Sequence, residues 1–233
     1  MNKEKSKTVT VVIPVRAGSK GFPKKNIAQF NGESLYMTTI NFAVNCGASR
    51  VIVTTDEPEI LKRNFAAISP KIEILERPAE LCQDDSRIED VISHCILSSN
   101  IVGIILFLQV TSPLRAPSDF EAVMDTYLHN DYSLVITVSE AERSVLKWGF
   151  LDGIDFKPIS GNSTFCFANR QSLPSIFKPN GAFYLFDSKV FISNGGFSEK
   201  RIGAVKMPPS RSIDIDSVED LKAAGLLINS NKE

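Results

Sequence analysis

The sequence predicts an α/β fold, a mostly parallel sheet covered by helices on both faces, and three observations carry that prediction. Strand-like apolar runs alternate with stretches of helical periodicity along most of the chain. The run at residues 104–108 is apolar at every position, as expected of a strand buried on both faces. The polar clusters that could carry chemistry each follow an apolar run, beyond the carboxyl end of a strand, where open α/β sheets bind ligands.

Taken in order, residues 9–15 read as the first strand. Residues 33–46 read as a helix with Tyr36, Ile40, Ala43 and Val44 on one face. Residues 50–54 form a second strand with Asp56 just past its end, followed by a short helix over 58–66 and a strand over 71–75. Ser86-Arg-Ile-Glu89 has the form of a capping box and opens a helix striped by Ile88, Val91, Ile92, Cys95 and Ile96. After the 104–108 strand come a helix around 118–129 and a strand at 134–138. From about 139 to 179 the rhythm breaks, and aromatics such as Trp148, Phe150, Phe156 and Phe167 are mixed with Gly, Pro and polar residues. That segment is expected to be an irregular or β-rich insertion, an arm for oligomerisation. Alternation resumes at 181–187 and ends with a helix over about 217–228.

At 233 residues with 43% hydrophobic content, the chain is long enough to bury a full core, so a single domain with this insertion is expected. Its 26 basic and 27 acidic residues give a net charge of −1, which offers no basic field for nucleic acid. Four cysteines form no C-x-x-C pair and only two histidines are present, so reduced thiols are expected rather than a zinc site. The longest apolar run falls far short of the roughly 20 residues that span a bilayer, and residues 1–8 are polar. A cytoplasmic protein without membrane partners is the expectation.

The first site candidate is Ile13-Pro-Val-Arg-Ala-Gly-Ser-Lys-Gly-Phe-Pro-Lys-Lys-Asn26, a loop leaving the first strand. Gly18 and Gly21 let backbone N–H groups approach an anion, Ser19 adds a hydroxyl, and Arg16, Lys20, Lys24 and Lys25 supply charge for a polyphosphate. The glycine spacing fits neither the Walker nor the dinucleotide pattern. A solvated basic turn would have the same composition. The second is Gln109-Val-Thr-Ser-Pro-Leu-Arg115, which offers an amide, two hydroxyls and a guanidinium after the buried strand; an ordinary turn with a helix N-cap at Ser118 is the alternative. In the third, Ser212-Ile-Asp-Ile-Asp216, alternation puts Asp214 and Asp216 on one side, a costly arrangement unless a cation such as Mg²⁺ lies between them. Capping of the next helix explains Asp216 equally well but leaves Asp214 unexplained. Pro179-Asn-Gly-Ala182 reads as a turn, Arg77-Pro-Ala-Glu-Leu81 as a substrate loop or a charged connection, and His94 as a packed or surface histidine.

In order and spacing, these clusters resemble the acylneuraminate cytidylyltransferases, the CMP-sialic acid synthetases and their relatives for other nonulosonic acids. The opening loop is similar to that family's I-P-A-R-x-G-S-K-G-x-P-x-K-N, Thr54-Thr-Asp56 to its S-T-D, Arg77 to Leu81 to its R-P-x-x-L, and Gln109 to Arg115 to its Q-P-T-S-P-L-R. The resemblance implies a Rossmann-like nucleotidyltransferase fold and a homodimer. It also implies transfer of CMP from CTP to the anomeric hydroxyl of a nonulosonic acid with release of pyrophosphate. On this resemblance Arg16, Ala17, Gly18, Ser19, Lys20, Lys25, Asn26 and Arg77 bind the nucleotide. Asp214 and Asp216 hold Mg²⁺ or Mn²⁺ and, with Arg16 and Lys20, carry catalysis. Gln109, Thr111, Ser112 and Tyr184 face the sugar, while Arg170 and Lys178 meet its carboxylate or a phosphate. Lys147 lies in the dimerisation arm, which in the family resembles one reaching the partner's site.

Two departures bear on the sugar. Ile88 stands where the family commonly has Ser or Thr, and Lys178 where it often has Arg, whose planar bidentate contact Lys cannot make. Sialic, legionaminic and related acids therefore stay open. So do a nucleotidyltransferase for another sugar or nucleotide and a catalytically silent sugar-nucleotide binding protein.

Overall fold

The computed structural model describes residues 8–18, 21–197 and 201–230. Its strands are β1 (Val9–Val15), β2 (Gln29–Phe30), β3 (Glu33–Ser34), β4 (Arg50–Thr55), β5 (Ile72–Glu76), β6 (Ile104–Phe107), β7 (Leu134–Ala141), β8 (Gly149–Asp152), β9 (Asp155–Pro158), β10 (Ile176–Asp187) and β11 (Ile202–Lys206). Its helices are α1 (Leu35–Asn45), α2 (Pro58–Leu61), α3 (Ile88–Ser98), α4 (Pro117–His129), α5 (Thr164–Phe167), α6 (Ser188–Asn194) and α7 (Val218–Ser230).

The described residues build a seven-stranded sheet in the order β5-β4-β1-β6-β10-β7-β11. Paired strands run parallel except β10, which is antiparallel to both β6 and β7. From β1 the chain steps outward through β4 to β5, then returns to place β6 on the other side of β1. That reversal opens a crevice beyond the carboxyl ends of β1 and β6.

Period-two alternation along β1 divides the core into two layers. Val9, Val11, Ile13 and Val15 pack with α1 residues Leu35, Ile40 and Ala43, α4 residues Val123 and Tyr127, and Ala224 of α7. Val12, on the opposite face, joins Ile52, Ile105 and Phe107 beneath Ile92, Cys95 and Ile96 of α3 and Phe191 of α6. Helices thus cover both faces, as the sequence predicts.

Several boundaries differ from expectation, each for a local reason. The helix expected over 58–66 stops at Leu61. Three residues on, the Asn64 side chain accepts the Ala66 N–H at 3.2 Å while Phe65 turns into the core. The capping box at Ser86 does not form: Arg87 is the N-cap of α3, and the Ser86 hydroxyl donates to the Glu80 carbonyl at 3.1 Å. Nor does Ser118 cap α4, which starts on Pro117 while Asp119 reaches back to accept the Ala116 N–H at 2.9 Å. Between Ser217 and Asp220, by contrast, a reciprocal cap opens α7, Asp220 accepting the Ser217 N–H at 2.9 Å and the Ser217 hydroxyl accepting the Asp220 N–H at 3.1 Å.

The turn expected at Asn180-Gly181 lies inside a strand. β10 begins at Ile176 and pairs with β7 as far as Ala141, so the arm between these strands covers 142–175 and holds the β8–β9 hairpin and α5. Its register against β7 shifts between Pro179 and Tyr184, and Gly181 takes φ +74° at that bulge. There Asn180 is buried and its side chain makes four hydrogen bonds. Its Oδ1 accepts from the Thr137 hydroxyl at 2.6 Å and the Ala182 N–H at 3.2 Å. Its Nδ2 donates to Ser212 Oγ at 3.0 Å and Met207 Sδ at 3.3 Å. One side chain thereby ties β7 and β10 to the segment that follows β11.

Truncating Asn180 removes these bonds from a largely buried site. Asn180→Ala is expected to cost about 1–3 kcal/mol, read in chemical denaturation as a lower midpoint with an unchanged slope.

Candidate functional site

The crevice between β1 and β6 holds a cleft of about 230 Å³, lined among others by Arg16, Lys25, Asn26, Arg77, Gln109 and Thr111. On its β1 side the expected anion loop is pinned at several points. The Ala17 N–H donates to Asp56 Oδ1 at 2.8 Å, and Asn26 Nδ2 donates to the Arg16 carbonyl at 2.9 Å. Arg16 reaches Asp84 at 2.9 Å, and Lys25 reaches Asp216 at 2.8 Å. Gly18 borders a neighbouring hollow with Asp56, Arg77 and Cys82, and a Cβ on Gly21 would touch the Asp216 carbonyl at 3.7 Å, so the loop passes over the far segment. Ser19 and Lys20, two expected phosphate ligands, lie outside the described residues.

Arg77 enters from the end of β5. It is buried, its guanidinium donating to the Thr54 carbonyl at 2.9 Å and, more weakly, to the Thr54 hydroxyl at 3.4 Å. Burial lowers its pKa, with Asp56 among the acidic groups opposing that shift. A buried cation held by neutral oxygens and bordering the cleft suits an anionic ligand.

The aspartate segment lies at the margin of that cleft, in contact with its lining residues Thr111 and Lys25. Ile215 is fully buried and its N–H donates to the Thr111 carbonyl at 2.8 Å, which fixes the segment against the end of β6. Arg211 makes a two-pronged contact with buried Asp119 at 2.9 and 2.7 Å, tying the segment to the start of α4. The two carboxylates beside Ile215 interact. Asp214 keeps an exposed surface, yet the partial burial of its carboxyl raises its pKa; Thr111 and Lys25 oppose the rise, and Asp216 adds to it. Asp216 does not cap α7, since Ser217 and Asp220 do; its carboxylate is left to face Lys25. Two mutually repelling carboxylates are oxygen ligands suited to Mg²⁺ or Mn²⁺, hard cations that fill out their shell with water and phosphate. Among the described residues no group of three or more His, Cys, Asp or Glu side chains is arranged to hold a metal.

The β6 loop divides into cleft and support. Gln109 and Thr111 line the cleft, but Ser112, expected to face a sugar, is fully buried and donates to the Asn180 carbonyl at 3.2 Å. Arg115 is likewise no ligand-facing group. It is buried over the Phe183 ring, donates to the Ala182 carbonyl at 2.7 Å and to the Gln109 carbonyl, and burial pushes its pKa down to about 9. It stays charged at neutral pH and locks the β6 loop onto β10. Tyr184 is half-buried, packed on Phe107 and Phe197, with burial and Asp214 raising its pKa; it stands near the aspartate without lining the cleft. Ile88 does line it, forming an apolar wall with Leu81, Val91 and Val110.

The family model described as cytidylyltransferase matches residues 10–204, a span that takes in the anion loop, the β6 loop and β10. The chain belongs to the cytidylyltransferase family. It is similar to the N-acylneuraminate cytidylyltransferase of Streptococcus agalactiae, 27% identical over 214 residues that cover 90% of this chain and 50% of that protein. The chain thus spans about half the length of that relative. It is also similar to the pseudaminic acid cytidylyltransferase of Campylobacter jejuni, 23% identical over 231 residues, with 95% of this chain and 97% of that protein covered. Among solved structures, CMP:2-keto-3-deoxy-manno-octonic acid synthetase complexed with CTP superposes with a TM-score of 0.70 at 16% identity, covering 96% of this chain and 99% of that one. That likeness shows the nucleotidyltransferase fold.

Three expected ligands lie away from the cleft. Arg170 pairs with Glu142 at 2.8 Å on the arm, Lys147 sits in the arm's first turn, and Lys178 is exposed on the outer half of β10 opposite Ser139. A single copy does not bring them to Gln109 or the aspartates. Sequence reasoning missed two cleft-shaping residues. Asp84, the partner of Arg16, sits in a polar stretch with no period to single it out, and Asn180 was hidden by the turn signal of Asn-Gly.

Gly181 lets Gln109 sit where it does: a Cβ there would collide with Gln109 Oε1 and crowd Ser112 Oγ at 3.2 Å, and φ +74° disfavours any other residue. Gly181→Ala is expected to destabilise by about 1 kcal/mol or more and to lower Tm in a thermal melt. An unchanged Tm would show that Gln109 relocates freely.

Proposed function

We propose that this protein transfers CMP from CTP to the anomeric hydroxyl of a nonulosonic acid, releasing pyrophosphate. One observation carries the reading: the basic loop after β1 and the polar loop after β6 line one crevice, with the aspartates of a distant segment at its margin, in a cytidylyltransferase-family chain. The names of relatives that act on N-acylneuraminate and pseudaminic acid supply the acceptor class.

In this mechanism the hydroxyl oxygen of the acid attacks the α-phosphorus. The bond to the β-phosphate breaks, the hydroxyl proton is lost, and pyrophosphate departs. Such a transfer asks the protein mainly to position the reactants and to neutralise charge. Arg16 and Lys25 would hold the triphosphate, with Arg77 beside the nucleotide. Gln109 and Thr111 would orient the acid. Asp214 and Asp216 would hold Mg²⁺ or Mn²⁺, which supplies positive charge at the phosphate oxygens when bound. The wall of Ile88, Leu81, Val91 and Val110 favours an apolar part of a substrate over one rich in hydroxyls.

The arm supports a homodimer. Trp148, Phe150, Leu151, Ile154, Phe156 and Phe167 are all exposed, Ile154 at 99% of its surface, which is more apolar surface than scattered residues account for. A second copy covering this face is our reading, and it would let Lys147, Arg170 and Lys178 serve the partner's cleft. Among the described residues no helix is long and apolar enough to cross a membrane.

Incubation with CTP, Mg²⁺ and a panel of nonulosonic acids should yield pyrophosphate and a CMP-sugar by mass analysis. A folded protein that turned over none of them would refute the reading. Asp214→Asn and Asp216→Asn are each expected to lower kcat on the order of a hundredfold with little change in Tm, and chelation of the divalent ion should do the same. For the arm, Leu151→Asp combined with Ile154→Asp should convert a dimer to a monomer in light scattering; an unchanged mass would refute the arm interface.

A further inference from the structure

The chain leaving β1 is gripped at a single peptide unit. Asn26 Nδ2 donates to the Arg16 carbonyl at 2.9 Å, and Asp56 Oδ1 accepts the Ala17 N–H at 2.8 Å. These two groups belong to the same planar amide, so both of its polar ends are fixed by side chains from different parts of the chain. Fixing that plane sets the directions in which the Arg16 side chain and the Gly18 amide leave the strand.

Asp56 stands on a rigid base. It is the residue after β4, which pairs in parallel with β1 up to Val15 opposite Thr55. The Thr55 carbonyl accepts the Arg77 N–H at 2.8 Å, and its hydroxyl accepts the Glu57 N–H at 2.9 Å. Where the ladder ends, the Asp56 carboxylate takes over as acceptor for the departing strand. Burial raises the pKa of the neighbouring Cys82 thiol, and the Asp56 carboxylate adds to that rise.

A carboxylate is an unexpected neighbour for a polyphosphate, since it repels the ligand. Its presence here is explained by the geometry it imposes, with the charge offset by buried Arg77 close by. We propose that Asp56 is a positioning residue for the nucleotide: by clamping the Arg16–Ala17 peptide with Asn26, it holds the anion loop ready for the triphosphate. The proposal rests on the nucleotide reading of the cleft.

Three readouts on the full chain test it. The first is the dissociation constant for CTP with Mg²⁺ by calorimetry, comparing wild type, Asp56→Ala and Asp56→Asn. Loss of the acceptor in Asp56→Ala should weaken CTP about tenfold and raise its KM by a similar factor with kcat changed less. Asp56→Asn keeps an oxygen acceptor and should restore affinity to within about threefold. The second readout is amide hydrogen exchange at Ala17 without nucleotide, where Asp56→Ala should lose protection and Asp56→Asn keep it. The third is Tm, which should move little in either variant. Equal CTP affinity in wild type and Asp56→Ala would overturn the clamp alone, as would an Asp56→Asn variant as weak as Asp56→Ala. A wild-type chain that does not bind CTP would overturn the nucleotide reading and the clamp with it.

Discussion

The site depends on a buried polar junction in the middle of β10. Asn180 joins Thr137 of β7, the Ala182 N–H and Ser212, and Gly181 beside it accepts the close approach of Gln109. Arg115 then bolts the β6 loop to the same stretch through the carbonyls of Ala182 and Gln109. A buried network of this kind is stable only when each member finds a partner, so its parts have one arrangement available. Gln109 on one side and the Ser212–Asp216 segment on the other inherit their positions from it. The antiparallel strand in an otherwise parallel sheet is what brings these two pieces of chain together.

Much of the fold was legible because burial leaves periodic traces. The stripes of α1 and α3 and the uniformly apolar β6 come directly from contact with one or two core layers. What was hidden lacked such a trace. The β11 edge strand carries Gly203 as its second residue, where a Cβ would strike the Tyr132 ring, and that residue broke the pattern. The first half of β10 pairs with β7 along its backbone while Phe177, Lys178 and Pro179 stay exposed, so no alternation marks it.

The candidate site was legible to a different degree. Residue chemistry located Arg16, Lys25, Asn26, Gln109 and the aspartates, and the structure brings these into one cleft or its margin. Chemistry alone could not separate groups that face the cleft from groups that build it. Ser112 and Arg115 carry the right atoms but point them at carbonyl oxygens inside the protein. Orientation of that sort depends on strand register and on a bulge, neither of which is written in any short motif.

The pairing of Arg16 with Asp84 and of Lys25 with Asp216 bears on how the cleft responds to its surroundings. Both cations already have an anionic companion from the same chain, so on the nucleotide reading proposed above a triphosphate would exchange one companion for another. The gain in Coulomb energy is then the difference between two contacts, and fewer solution ions are released than the number of basic residues implies. Recognition therefore draws more on shape than on net attraction.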